Sequence, residues 1–371
     1  MRNYEAVYGE AAGRRPKKYY YILDNDTFQL VLLPTKYLKY KVDVERSPNT
    51  VKRFALSLSY YLQYLSETEL ELAEVSRLGF EDQSKYFVQF LYWLKEGRRV
   101  DTKRIGKTRN ATCNAYLRDV FGFFLYLANN EYCKPLRVLS YDQITVPNAV
   151  GVKRTIRSNS FKGYLKEEER NVRAAEEAEF IEVLHACTNT RDQLLLLMLA
   201  ETGFRIGELL GVDYTRDIDY ENQTVKVYFR NDNENDARAK NAEERKARLS
   251  HDTFEFLLYY ISEYRKLLQY QTMLFINIAG DTAGKPMPVQ NVYDMLGRMQ
   301  KKTGIKLTPH MLRRYYARSR WNDGWSLELV SQALGHKHLD IEKRNTSFAG
   351  TQKRMARTRA MRFLSRALTF C

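Results

Sequence analysis

The chain has 371 residues, 44% hydrophobic and 28% charged, a balance that suits two or three folded domains with buried cores. Lys and Arg number 60 against 45 Asp and Glu, and the formal net charge of +15 argues for a polyanionic partner, nucleic acid ahead of an anionic membrane surface. There is no apolar run long enough to cross a bilayer, no apolar core of a signal peptide at the start, and neither a G-x-x-x-x-G-K-S/T nor a G-x-G-x-x-G loop. These absences exclude a spanning helix and argue against membrane partners and nucleotide-driven chemistry.

In chain order, residues 1–46 read as strand-rich and irregular, with Tyr19–Leu23 and Phe28–Leu33 forming a hairpin across the polar turn Asp24–Asp26. Ser47 then offers an N-cap and Pro48 a first helical residue. Val51, Phe54, Ala55, Leu58, Leu62 and Leu65 follow on one helical face. Further helices are expected over Phe87–Leu94 and Asn114–Leu127, so residues 47–140 form a helical unit. The basic stretch Arg98–Arg109 between them suits a loop that grips phosphates, or one that is simply solvated. Residues 141–167 lack a helical period and read as a basic linker, with Lys153, Arg154, Arg157 and Lys162.

The second domain, 168–371, starts helical near Ala174 and runs into the very apolar Gln193–Ala200, a buried helix. Thr224–Phe229 reads as a strand, Asn231–Asp236 as a polar turn, and Arg238–Leu249 as a basic run. Helices resume at Thr253–Leu268 and continue to the end. Cys113, Cys133, Cys187 and Cys371 are far apart and never in a C-x-x-C, which excludes a zinc ribbon and fits free thiols in a cytoplasm.

Four clusters carry candidate chemistry. Arg205 and Glu208 lie three apart after a Gly-containing break, either as parts of a site or as a surface ion pair of a few tenths of a kcal/mol. His310 and Arg313 are also three apart, in H-x-x-R. Leu334-Gly335-His336 puts a glycine before an imidazole, and Lys240 lies beyond the turn of the strand pair. The five histidines form no H-E-x-x-H and no convincing ligand pair, so no metal or other cofactor is expected.

Taken in order, these clusters resemble the catalytic set of the tyrosine recombinases, the phage-integrase family: an Arg in T-G-x-R-x-x-E-L, a hairpin Lys, H-x-x-R, L-G-H, then a tyrosine. The resemblance implies a mainly α fold, with a helical core-binding domain and an integrase-type catalytic domain holding a small β-hairpin or sheet. It also implies double-stranded DNA as partner, clamped between the two domains, and a homo-tetramer working through a Holliday junction to integrate or excise a mobile element. The expected location is the bacterial cytoplasm, on the nucleoid. Arg205 and Arg313 would hold the scissile phosphate, His310 and His336 would assist, and Lys240 would protonate the leaving 5′ oxygen. A type IB topoisomerase shares this chemistry without the need for a tetramer.

One part of the pattern fails. The family requires a tyrosine roughly nine or ten residues after the L-G-H histidine, and none of the 27 tyrosines lies beyond Tyr316. Phe348 is the aromatic residue in that window, twelve positions after His336, a somewhat long interval. Phenylalanine keeps the packing of tyrosine and deletes its hydroxyl, so Phe348 reads as an engineered replacement of the nucleophile that binds DNA without cutting it. A natural non-catalytic DNA-binding paralogue is the alternative, and attack by Thr346 or Ser347 is a third reading. The basic tail Thr351–Cys371 has apolar residues at helical spacing, suited to docking on a neighbouring subunit or on its own domain.

Overall fold

The N-terminal residues, rich in tyrosine, fold as an antiparallel hairpin, β1 (Tyr4–Ala11) with β2 (Lys17–Asp24), Val7 opposite Tyr21. The computed structural model describes residues 4–11, 17–97, 108–147, 153–168, 173–228 and 244–335. They fall into two units, Met1–Arg170 and Asn171–Cys371.

The partner of Tyr19–Leu23 is thus β1 and not Phe28–Leu33. That second segment contributes only the bridge from Leu23 to Leu30, across a turn in which Asp24 Oδ1 accepts from Asp26 N at 2.9 Å. From Leu32 the chain is helical, which corrects the irregular reading of residues 1–46. In α1 (Leu32–Asp43) Tyr37, Leu38 and Val42 recur at helical spacing and are buried. Pro34 lies in the first turn, where no helical N–H partner is needed.

Helix α2 (Pro48–Glu67) begins where its cap predicts: Ser47 Oγ accepts from Thr50 N at 3.3 Å, and Val51, Ala55, Leu58, Leu62 and Leu65 are buried. Helices α3 (Leu72–Arg77), α4 (Phe80–Lys95) and α5 (Asn110–Asn129) complete the bundle. Its core is aromatic, with Tyr61 packed edge-on against Phe90 and Phe124 at centroid distances of 5.4 and 5.7 Å. Most of the basic loop, residues 98–107, lies outside the described residues. The stretch 141–167 is not a structureless linker. It forms a second hairpin, β3 (Tyr141–Pro147) with β4 (Lys153–Asn159), and the following Phe161 is buried in the bundle core.

In the second unit α6 (Glu177–Ala186) precedes α7 (Thr190–Thr202), which is apolar on every face and buried nearly throughout. After α8 (Ile206–Leu209) come β5 (Ile218–Asp219), β6 (Thr224–Val227) and β7 (Arg245–Arg248), an antiparallel sheet in that order with Val225 opposite Ala247. Helices α9 (His251–Glu263), α10 (Arg265–Leu268), α11 (Val289–Thr303), α12 (Pro309–Asn322) and α13 (Leu327–Leu334) follow. The core gathers around Leu194–Leu199, Leu257, Phe275, Val292 and Leu312, with α7 packed against α9 and α12. The chain is therefore mainly α with small antiparallel sheets.

Candidate active site

The site starts at the end of α7. Gly203 caps that helix at φ +63°, and a Cβ there would stand 2.4 Å from the Tyr316 ring of α12, so both backbone conformation and space call for glycine. The turn delivers Arg205 to the N-cap of α8, where Glu208 reaches back. Its Oε2 accepts from Arg205 N at 2.8 Å and its Oε1 from Arg205 Nη1 at 2.7 Å.

This is no surface ion pair, because Glu208 is only 4% exposed. Arg245, at the start of β7, forms an ion pair with the same carboxylate, its Nη2 2.5 Å away, and Arg313 Nη1 stands 3.9 Å away. Three guanidiniums converge on one buried carboxylate and leave the cluster cationic. Burial alone would push the Glu208 carboxyl up. The Arg245 charge, the Arg205 N–H and the charges of Arg205 and Arg313 outweigh that and hold it below its ordinary value.

Arg313 is 5% exposed on α12. It donates from Nη1 to Gly203 O at 2.6 Å and from Nη2 to Leu334 O. Arg245 Nη1 donates to Ala333 O at 2.9 Å. The last carbonyls of α13, which have no helical donors of their own, thus receive two cations at the negative end of the helix. Gly335 ends α13 at φ +63°, and a Cβ there would meet Arg245 Nε at 2.8 Å. The turn that precedes His336 is pinned to Arg205 and Glu208 through these two arginines.

Of the residues singled out in the sequence, Arg205 and Arg313 are brought together around Glu208. His310 lies in the first turn of α12, exposed, one turn ahead of Arg313, behind a cap in which Thr308 Oγ1 accepts from Met311 N at 3.3 Å. Lys240, His336 and Phe348 lie outside the described residues, as do Thr346, Ser347 and the tail. Sequence reasoning missed Arg245. It stands in a basic run with no motif to single it out, and only the fold shows Arg245 and Ala247 less exposed than Lys246 and Arg248. Among the described residues no group of His, Cys, Asp and Glu could hold a metal ion, and no helix is long and apolar enough to cross a membrane.

Residues 170–346, which hold the arginine cluster and the H-x-x-R helix, match the phage integrase family. That match spans a little under half of the chain and makes this stretch a phage integrase domain. Its sequence is 28% identical over 330 residues to "Transposase A from transposon Tn554" of Staphylococcus aureus, covering 88% of this chain and 89% of the relative. The fold resembles a lambda integrase dimer bound to a core site, with TM-score 0.59, 14% identity, and coverage of 88% of this chain and 98% of that one. It also resembles a tyrosine-to-phenylalanine variant of the Tn1549 transposon integrase in complex with transposon right end DNA. There the TM-score is 0.57 and the identity 18%, with 86% and 94% covered.

Proposed function

We propose that this protein is the recombinase of a mobile element, acting on double-stranded DNA as a homo-tetramer through a Holliday junction, and that the chain as written binds and synapses DNA without cleaving it. The observation that carries the reading is the convergence of Arg205, Arg245 and Arg313 on the single buried carboxylate of Glu208. A cationic pocket with fixed N–H donors suits a phosphodiester whose non-bridging oxygens gain charge as it is attacked.

In the active form a tyrosine oxygen attacks the scissile phosphorus, the 3′-phosphotyrosyl bond forms, and the bond to the 5′ oxygen breaks. Arg205 and Arg313 donate to the non-bridging oxygens, bidentate geometry that lysine does not offer. Each terminal nitrogen of Arg313 carries a second hydrogen beyond the one given to a backbone carbonyl. Glu208 and Arg245 hold the two arginines in place. His310 takes part in removing the phenolic proton, Lys240 delivers a proton to the departing 5′ oxygen, and His336 donates to the phosphate. The phosphotyrosyl ester retains the energy of the broken bond, so rejoining consumes no nucleotide.

In this chain Phe348 stands in for the nucleophile. The Tn1549 transposon integrase was solved with transposon right end DNA as a tyrosine-to-phenylalanine variant, which supports this reading of a DNA-holding form. Asn345 stands nine residues after His336, within the interval the family resemblance implies, and is the second position at which the nucleophile is restored.

The test uses a nicked suicide duplex carrying the element's ends. The unaltered chain, Phe348→Tyr and Asn345→Tyr are each incubated with it and run on denaturing gels. A covalent adduct from one tyrosine variant, and none from the unaltered chain, is the expected result. Tight binding with no adduct from any of the three favours the non-catalytic paralogue.

A further inference from the structure

Glu201, in the last turn of α7 and four residues before Arg205, is a carboxylate that the chemistry above leaves unused. Its Oε1 accepts from Ser250 N at 2.9 Å, and its Oε2 is buried without a hydrogen-bond partner. Burial pushes this carboxyl up, while Ser250, the Thr253 hydroxyl and the Arg320 charge pull against that shift. With so little water around it, the bond to Ser250 is stronger than the same bond at an exposed corner.

Ser250 stands two residues past β7 and caps α9, its Oγ accepting from Thr253 N at 3.3 Å. The strand is therefore tied at both ends to the segment that delivers Arg205. At its start Arg245 pairs with Glu208, three residues after Arg205, and just past its end Ser250 N donates to Glu201. A single tie fixes where a strand lies and leaves it free to pivot, whereas a second fixes its direction. The ladder that sets Val225 opposite Ala247, and the bond from Leu249 N to Gln223 O at 2.9 Å, carry that direction to β6. In sequence, the chain that joins β6 to β7 contains Lys240.

We infer that Glu201 is a positioning residue of the recombination chemistry, which holds the far end of β7 and so sets the direction of the strand pair on which protonation of the leaving 5′ oxygen by Lys240 depends. The inference deepens the recombinase reading and rests on it. As the bond from the tyrosine oxygen to phosphorus forms, the bond to the 5′ oxygen breaks with its electron pair on that oxygen, and the Lys240 ammonium supplies the proton. A misdirected donor slows the reaction only where the leaving group needs that proton.

The test uses the tyrosine-restored full chain and the nicked suicide duplex in two forms, one unaltered and one with sulfur in place of the 5′ bridging oxygen, which departs as a thiolate without a proton. Glu201→Leu is expected to slow adduct formation on the oxygen duplex by on the order of 10–100-fold and to stay within about twofold of the parent on the sulfur duplex. Lys240→Ala is expected to show the same selectivity. Glu201→Gln keeps an acceptor for Ser250 N and is expected to keep the parent rate on both. Ser250→Pro deletes the donor instead, at a φ of −63° that proline adopts, and is expected to repeat the leucine pattern. A folding defect slows both duplexes alike, so the ratio of the two rates isolates positioning. Equal slowing on both duplexes in Glu201→Leu and Ser250→Pro, or parent rates on the oxygen duplex, overturns the inference while adduct formation by the parent stands. A parent that forms no adduct on either duplex overturns the recombinase reading beneath it.

Discussion

Replacing Arg245 by methionine keeps much of the apolar stem and removes the ion pair with Glu208 at 2.5 Å and the hydrogen bond to Ala333 O at 2.9 Å. The two side chains are 10% and 1% exposed, so water cannot take the place of the guanidinium. Breaking a buried pair by deleting one partner costs about 3–5 kcal/mol. Glu208 keeps both bonds from Arg205, which places the expectation at the lower end, about 3 kcal/mol. At roughly 2–4 °C per kcal/mol for a unit of this size, its melting midpoint falls by about 6–12 °C.

Calorimetry of the full chain reads this directly, and a double-mutant cycle with Glu208→Gln isolates the pair. The double variant is expected to lose about 1–3 kcal/mol less than the sum of the single variants. Glu208 is held below its ordinary carboxylate value, so the pair's stabilisation is present above that value and is lost as pH falls through the depressed one. The gap between parent and variant should therefore close on acidification. A loss within about 0.5 kcal/mol, as for a plain surface substitution, or strict additivity in the cycle, refutes the reasoning.

Three further outcomes follow from the geometry. Gly203→Ala forces a left-handed alanine against the Tyr316 ring and is expected to destabilise the second unit by about 1–3 kcal/mol, read by thermal melting. Ser47→Ala removes the cap of α2 and is expected to cost about 1 kcal/mol, read by urea unfolding, whereas Ser47→Asp should cost little. Among the described cysteines, Cys133 is partly exposed while Cys113 and Cys187 are buried, and burial pushes the Cys187 thiol up to about 12. Alkylation of the native protein, followed by peptide mass, should therefore label Cys133 ahead of Cys113 and Cys187.

The helices announced themselves where local chemistry was strong. Ser47 and Pro48 mark the start of α2, and the unbroken apolar run of α7 could only be buried. Helix α1 was obscured because Lys36, Lys39 and Lys41 alternate with Tyr37 and Tyr40, whose rings serve both core and surface. The hairpin β3–β4 was hidden in a stretch whose basic residues read as solvated chain. Arg205 and Arg313 were legible because each sits in a short motif with its neighbour three residues away. The burial of Glu208 was not, since spacing fixes a shared face and not what covers it. Arg245 escaped because its partners, Glu208 and Ala333, are distant in sequence and meet it only when β7, α8 and α13 converge.

The central claim, that the arginines around Glu208 hold the phosphate to be cut, is tested most directly in the tyrosine-restored protein. Arg205→Lys and Arg313→Lys are made separately in that background, and adduct formation on the nicked duplex is compared with DNA affinity. Each is expected to slow adduct formation by about 10²–10³-fold, the loss typical of one fixed transition-state donor, while affinity changes only a few-fold. Adduct forming at the parent rate in either lysine variant would contradict the account.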